Sequence, residues 1–356
     1  MNRNFIILSS ALLLGGAGWL VWQDPQNPSE THHKPRISKS PLSSHFKDKI
    51  AQSAQEQALA KRNALLRTIL NSKLSWQKRV PAAESLSKYE IDDQVLSQLY
   101  AFLRTPAPQR EEDFFVVGNE IMAVLRELNI DQKVYTAELL RLIEDPEAQT
   151  VMRDYAVQHL VQGGPTQPYP ASSHQAPKTA AFSLKHDTFQ RILNVISDPQ
   201  NAQQNFIGTA LTSLHVGLSS GQFAFDPEIE KESRTSLGQL ALEMAKGSHP
   251  TTSVNRLTAL QVAAEMKLPE TAGISRNILK SSQNHLSSRR VGENSPHSPT
   301  SPKLTTSSIS TDIQLSAIAA LGRVGDFSDI ALLEQQSQDV LVYAAEAATK
   351  LIRSRH

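Results

Sequence analysis

Residues 311–353 have the sequence TDIQLSAIAALGRVGDFSDIALLEQQSQDVLVYAAEAATKLIR, in which one short pattern occurs twice. In the first copy Ala317 is followed four residues later by Leu321, and in the second Ala344 is followed four residues later by Ala348. Because residues four apart share one face of an α-helix, each copy predicts a helix with a small residue on its packing face. We therefore expect these helices to approach their neighbours closely.

The same pattern recurs towards the N-terminus, with two weaker copies at 115–122 and 207–214. The five further copies are 79–86 (RVPAAESL), 115–122 (FVVGNEIM), 153–160 (RDYAVQHL), 207–214 (IGTALTSL) and 256–263 (RLTALQVA). The small residues Ala82, Gly118 and Ala156 lie 36 and 38 residues apart, and periods of this length indicate stacked structural units. A bulky residue at a small position, as in Ala82→Phe, is expected to push two stacked helices apart.

Each copy is followed by a turn and a second amphipathic segment. These second segments cover residues 92–103, 131–143, 186–196, 227–244, 270–279 and 327–335. No run of the sequence alternates apolar and polar residues as a half-buried strand would. The chain is therefore predicted to be all-α, an α-α superhelix of helix pairs, with repeats over residues 73–280 and a last unit over residues 311–356.

An uncharged run, FIILSSALLLGGAGWLVW, covers residues 5–22. As a helix it would be about 27 Å long, close to the hydrocarbon thickness of a bilayer. Trp19 and Trp22 suit the membrane interface and Arg3 suits the cytoplasmic side, as in an uncleaved signal anchor. A signal peptide cleaved near Gly16 or Gly18 is the alternative. We expect a single pass through a bacterial inner membrane with the bulk of the chain in the periplasm, or a periplasmic protein if the segment is cleaved.

Segments rich in Pro, Ser and His separate the helical parts of the chain. We predict a disordered tether at 23–45, an insert at 163–180 and a disordered linker at 281–310, because their few apolar residues cannot offset the entropy of ordering. Residues 46–72 are predicted to form a helix that caps the open end of the repeats, with a free-standing coiled-coil stalk as the alternative. The apolar stripe of this helix consists of Ile50, Ala54, Ala58, Leu65 and Ile69.

The balance of charge and the lack of cysteine exclude several classes of function. Lys and Arg number 36 against 35 Asp and Glu, a net charge of +1, so no long-range field favours nucleic acid as a partner. Without cysteine the chain has no disulfide, thiol nucleophile, Cys-bound zinc or lipoprotein anchor. Aromatic residues make up only 6% of the chain, which leaves little material for an aromatic-lined ligand pocket.

Motifs that suggest chemistry lack the context that the chemistry needs. Residues 217–221 (GLSSG) match the G-x-S-x-G pattern of serine hydrolases. That serine must lie on a turn between a strand and a helix, whereas the residues before it are here predicted to be helical. His159, His186 and His215 lie on different predicted helices, so no pair of metal-binding histidines is expected. We predict no catalytic, metal-binding or cofactor-binding residue, and no enzyme.

The repeated segments resemble the HEAT-repeat family, including the shorter HEAT-like units of phycobilin lyases. The resemblance is closest at residues 313–326 (IQLSAIAALGRVGD), and Arg153 matches a basic residue that many HEAT units carry in the first helix, where it bonds to the preceding turn. Gln204 and Thr251 depart from the family pattern, since they stand where a turn Asp is usual. The resemblance implies a curved right-handed solenoid that presents a concave surface to a protein ligand.

The anchor, the repeats and the absence of convergent polar groups together predict a membrane-tethered, extracytoplasmic scaffold. Its partner is expected to be another protein, such as an assembly, secretion or envelope factor, but the sequence does not indicate which residues bind it. Two alternatives stay open: a cofactor-handling, lyase-like or other enzyme built on HEAT-like repeats, and a purely structural envelope spacer. A deep pocket lined by aromatic and charged side chains would favour the enzyme.

Overall fold

Helices account for all of the regular secondary structure in the computed structural model, which describes residues 44–106, 111–128, 130–162, 178–223, 225–292, 310–336 and 339–355. No strand occurs among these residues, so the prediction of an all-α protein is confirmed for them. The chain divides into two units, Met1–Ala54 and Gln55–His356. Only the first turns of one helix are described in the first unit, and the second unit contains the rest.

Fourteen α-helices form the described part of the chain. They are α1 (Ser44–Leu70), α2 (Trp76–Leu86), α3 (Asp93–Arg104), α4 (Glu111–Glu127), α5 (Gln132–Glu144), α6 (Thr150–Gln162), α7 (Lys178–Ser197), α8 (Phe206–Ser219), α9 (Pro227–Lys246), α10 (Ser253–Glu265), α11 (Glu270–Gly292), α12 (Thr311–Val324), α13 (Ile330–Glu334) and α14 (Asp339–Arg355). Short 3-10 turns at Pro199–Asn201 and Phe327–Asp329 precede α8 and α13.

The starts of the helices follow from capping side chains in the sequence. Asp92 accepts a hydrogen bond from the backbone N of Val95 at 2.9 Å, and Thr252 accepts one from Asn255 N at 3.1 Å. Each bond satisfies one of the amides that a helix leaves without an internal partner. Helix α9 ends at Gly247, whose φ of 81° is left-handed and suits glycine.

The helices pack in two rows, one of the even-numbered helices and one of the odd-numbered helices. We call the even-numbered helices α2 to α14 the first helices and the odd-numbered helices α1 to α13 the second helices. Each first helix from α2 to α12 packs against the next first helix, and the second helices from α3 to α9 pack in the same order. Each second helix from α3 to α13 also packs against the first helix that follows it. Contacts therefore run mainly between neighbours along the chain.

The small residues of the repeated pattern are buried in the first helices as predicted, except Ala344 of α14, which is only half-buried. Ala156, Ala210, Ala259 and Ala317 are completely buried, and Ala82 is almost so. The glycines of the first helices show how close the approach is. A Cβ added at Gly118 of α4 would lie 2.5 Å from Met152 Cε of α6, and one at Gly322 of α12 would lie 3.0 Å from the Ala348 backbone of α14.

Three arginines at the start of the pattern tie each first helix to the end of the second helix before it. The Nε atom of Arg79 donates to Ile69 O at 2.7 Å, that of Arg153 to Ile143 O at 2.8 Å, and that of Arg256 to Ala245 O at 2.9 Å. The carbonyls accepting these bonds lie in the last turns of α1, α5 and α9, where helical carbonyls lack internal partners. The backward bond expected of Arg153 is confirmed, and two further copies repeat it.

Two predicted boundaries are wrong, and one predicted role is only partly met. Helix α11 continues to Gly292, so residues 281–292 do not belong to a disordered linker. Serine hydroxyls there bond to their own helix, as Ser282 Oγ does to Leu279 O at 2.7 Å, so the serine-rich composition does not break the helix. Helix α7 begins at Lys178, inside the predicted insert. In α1, Ile69 is buried but Ala58 is exposed, so only the C-terminal part of the predicted cap packs on the repeats.

The remaining predictions about the N-terminus lie outside the described residues. These are the membrane segment at 5–22 and nearly all of the tether at 23–45. Within the described ranges no helix combines the length and the apolar character needed to cross a bilayer.

Candidate functional site

Exposed apolar side chains concentrate on the outer surface of the first helices. The described residues include eleven large apolar side chains that are exposed, and eight of them lie on first helices. These eight are Trp76, Val116, Val151, Val216, Val254, Val340, Tyr343 and Leu351. We call the exposed surface of the first helices the first-helix face. Exposed apolar groups mark interaction sites where they form a contiguous patch.

The outer surface of the second helices is different, because charged pairs cover it. Arg191 of α7 makes two hydrogen bonds to Glu144 of α5, at 2.6 and 2.7 Å, and Arg104 of α3 lies 3.1 Å from Glu138 of α5. Only Leu59 and Val134 are exposed large apolar residues on described second helices. In the described part of the chain, eight large apolar side chains are exposed on first helices and two on second helices, and this is the difference between the two sets of helices.

Four carboxylates belong to the first helices α2, α4 and α6. We call Glu84, Glu120, Glu127 and Asp154 the acidic group. Burial raises the pKa of Glu120, and the nearby carboxylates of Glu84 and Glu127 raise it further. No ion pair in the described part of the chain involves any member of the acidic group.

Asp154 of α6 is the most enclosed member of the acidic group. Burial raises its pKa, although hydrogen bonds from Thr209 and Gln158 lower it in part. Gln158 Nε2 donates to its Oδ2 at 3.2 Å, whereas its Oδ1 has no hydrogen-bond partner among the described residues.

His159 of α6 links this region to α4. Its Nε2 lies 3.0 Å from Asn119 Oδ1, and its Nδ1 lies 3.5 Å from Arg126 Nη1. The ring is almost completely buried. Burial and the charge of Arg126 lower the pKa of His159 to about 4, although the bond to Asn119 opposes this. The imidazole is therefore neutral at physiological pH, and it serves to join two first helices.

We expect acid to destabilise the protein through His159. Because its pKa is about 4 in the folded state and 6.5 in the reference state, the unfolded chain binds the proton first as the pH falls. The contribution of neutral His159 is thus present above pH 6.5 and is lost as the pH falls towards 4, by about 3 kcal/mol. Urea denaturation from pH 7 to pH 4 should show this loss in the wild-type protein and a smaller one in His159→Gln. Parallel pH profiles for the two proteins would contradict the assignment.

The G-x-S-x-G motif has a packing role in the described structure. The preceding residues are helical, as predicted, and Ser219 is the exposed last residue of α8. A Cβ at Gly217 would lie 2.5 Å from the Phe223 ring, and Gly221 has a φ of 73°. The two glycines allow the chain to turn back so that Phe223 and Phe225 pack against Phe189 of α7. The sequence matches the hydrolase pattern because this turn uses glycine at both positions.

The three histidines are not brought together. His159 lies between α4 and α6, His215 of α8 is 3.3 Å from Glu265 of α10, and His186 packs on the Phe225 ring. No group of three potential metal ligands occurs among the described residues. The three histidines, which lie apart in the sequence, therefore do not contact one another in the structure either.

Two cavities of about 320 and 340 Å³ lie around α14. The first is lined by Lys267, Arg323 and Arg355 together with Glu265 and neighbouring residues. The second lies between α13 and α14 over Leu333 and Ala345. Neither cavity is lined by an aromatic side chain. The aromatic-lined pocket expected of a cofactor-handling protein is therefore not found at these two places.

Comparison with protein families, with curated proteins and with solved structures finds no match to this chain.

Proposed function

We propose that this protein is a membrane-tethered HEAT-like solenoid that binds another protein outside the cytoplasm through its first-helix face. Residues 5–22 would hold it to the membrane, either permanently or until a signal peptide is cleaved. The two-row packing of consecutive pairs and the three backward-bonding arginines support the HEAT-like description. In such repeats the stacked helices form an extended surface suited to a protein ligand.

The observation that carries the proposal is the distribution of exposed apolar side chains. A scaffold without a ligand would be expected to carry polar residues on both outer surfaces, as the second helices do. Instead Val254 and Val340 are exposed to 63% and 60%, and Tyr343 to 75%. Burial of such side chains in a complex contributes about 25 cal/mol for each Å² of apolar surface removed from water. Apolar groups at the centre of an interface, with polar groups at its rim, are typical of protein partners.

Site-specific photo-crosslinking in cells tests the proposal. A photo-reactive amino acid would replace Val151 or Val254 on the first-helix face, and Ser97 or Thr235 on exposed positions of the second helices. We expect adducts of discrete mass from Val151 and Val254 and none from the two control positions. Equal labelling at all four positions, or no adduct at any of them, would contradict binding through the first-helix face.

A further inference from the structure

We propose that the cavity between the C-terminal ends of α10, α12 and α14 binds the C-terminal carboxylate of the partner protein together with its last, apolar side chain. The cavity has a volume of about 320 Å³, which is at the lower end of the range for small-ligand pockets and suits the end of a chain. Its lining comes from first helices and from the turn after α10. The inference rests on the proposed function, because it names the part of the partner that this end of the first-helix face would hold.

Cations outnumber carboxylates in the lining of this cavity. Lys267, Arg323 and Arg355 are positively charged, and Glu265 is the one acidic residue among the described residues that line it. Arg323 Nη1 lies 2.8 Å from Glu265 Oε1, so this carboxylate balances one of the three cations. Glu265 also lies 3.3 Å from His215 Nε2. Two positive charges of the lining are therefore left for an anion.

The guanidinium of Arg355 is held in place at the end of α12. It donates to the carbonyl oxygens of Arg323 and Gly325, the second at 2.9 Å. These two bonds use two of the five N–H donors of a guanidinium. The others can bind a carboxylate, whose planar geometry matches that of the guanidinium.

Lys267 has a backbone conformation that glycine normally adopts. Its φ of 56° is left-handed, and no other non-glycine residue in the described ranges has a positive φ. The backbone N atoms of Lys267 and Leu268 donate to Ala264 O and Ala263 O, both at 3.1 Å, a hydrogen-bond pattern that usually places glycine after a helix. Helix α9 ends with the same pattern at Gly247. A lysine in place of the favoured glycine indicates that its side chain has a use.

The end of α10 does not itself require the ammonium group of Lys267. A lysine near a helix C-terminus interacts favourably with the helix dipole, but α9 has Lys246 within its last turn and still ends with glycine. The side chain of Lys267 is exposed, and it makes no hydrogen bond or ion pair with the described residues. Its Nζ atom is therefore available to an anion in the cavity.

An apolar side chain lies beside these cations. Leu351 of α14 is 52% exposed, and it lines the cavity together with Ala264 and Gly322. An inorganic anion would use the cations alone, whereas the last residue of a protein presents a carboxylate and a side chain close together. Terminal carboxylates are recognised in this way by other proteins. The mixed lining therefore favours a chain end with an apolar last residue.

Binding of short peptides tests the inference directly. The full chain would be held in zwitterionic lipid nanodiscs, with empty nanodiscs as the blank. The probe is a labelled peptide of about six residues that ends in leucine with a free carboxylate, and its counterpart ends in leucine amide. We expect the free acid to bind saturably and the amide to bind about tenfold more weakly. The affinity for the free acid should fall as salt rises.

Two results with these probes would overturn the inference. One is equal affinity for the free acid and the amide, because the carboxylate would then have no role. The other is displacement of the free acid by an equal concentration of inorganic phosphate or of phosphatidylglycerol in vesicles. The cavity would then be an anion site without a preference for the end of a protein chain.

Variants of Lys267 separate binding from folding. Lys267→Gly should bind the free acid about tenfold more weakly, yet its unfolding midpoint should rise by about 2 °C, because glycine adopts a positive φ without strain. Lys267→Arg keeps the charge and should bind like the wild type. Lys246→Ala removes an exposed lysine at the end of α9 and should also bind like the wild type. Wild-type affinity or a lowered midpoint for Lys267→Gly would overturn the inference.

The crosslinking experiment separates the inference from the proposed function. If the adduct at Val254 of α10 forms at full yield in Lys267→Gly, the partner binds the first-helix face without using the cavity, and the inference alone is overturned. If no adduct forms at Val254 in either protein, binding through the first-helix face itself is contradicted. A reduced yield in Lys267→Gly, with wild-type yield in Lys246→Ala, supports both.

Discussion

Replacement of Arg153 by alanine is expected to lower the free energy of unfolding by about 4 kcal/mol. The guanidinium is 1% exposed and bonds to Ile143 O at 2.8 Å and to Asn201 Oδ1 at 3.0 Å. It also lies 4.2 Å from the centre of the Phe206 ring. Alanine would leave the last carbonyls of α5 without a donor and would open a void beside Phe206.

A competing effect limits the size of this loss. Burial lowers the pKa of Arg153, and its Nη1 has no hydrogen-bond partner among the described residues. The buried charge thus destabilises the folded state, and its removal partly offsets the free energy of unfolding that is lost with the hydrogen bonds. We expect the loss of the bonds and of the packing to outweigh this gain. With alanine at this position, the carbonyl at the end of α5 stays equally buried but has lost its donor.

Two matched controls make the Arg153 measurement specific. Arg141→Ala removes a guanidinium whose side chain is 63% exposed on α5, and it should cost less than about 0.5 kcal/mol. Arg256→Ala removes the equivalent bond from a half-buried arginine and should fall between the two. Urea denaturation followed by circular dichroism would give all three values. Equal losses for Arg141→Ala and Arg153→Ala would contradict the structural role.

Replacement of Ala210 by phenylalanine is expected to cost about 3 kcal/mol or more. Ala210 is fully buried on α8, which packs against α6 on one side and α10 on the other. A phenyl group has no space there, so it would separate first helices across the middle of the row. Thr212→Phe places the same ring on an exposed position of the same helix and should change stability by less than about 0.5 kcal/mol. A similar midpoint of unfolding for both variants would show that the first helices do not require a small residue.

The recurring small residue made the first helices predictable, because close packing requires a small residue at a fixed position in each repeat. Ala156 and Ala317 are buried as that pattern required. The backward bond of Arg153 was expected from the resemblance to HEAT units. The boundary of α11 could not be predicted. Serine-rich composition indicates disorder, but the fate of Ser275 and Ser282 depends on burial against other helices, which composition does not record.

The sequence did not show which residues form the first-helix face, although it contained all of them. Val116 and Val151 lie within amphipathic helices, where an apolar residue is usually expected to point inwards. Only the packing of the helices shows that these two valines are exposed. Each contact joins residues on different helices, so no local pattern contains it.

Every conclusion about the first-helix face requires that the helices pack mainly against their neighbours along the chain. Hydrogen–deuterium exchange of the Arg153→Ala protein measures this most directly. We expect faster exchange in α5, α6 and α8, which surround Arg153, while α12 and α14 keep wild-type protection, because stability in a row of repeats is set by nearest neighbours. A uniform loss of protection from α2 to α14 would contradict the account, since it would show that the helices unfold as one closed core.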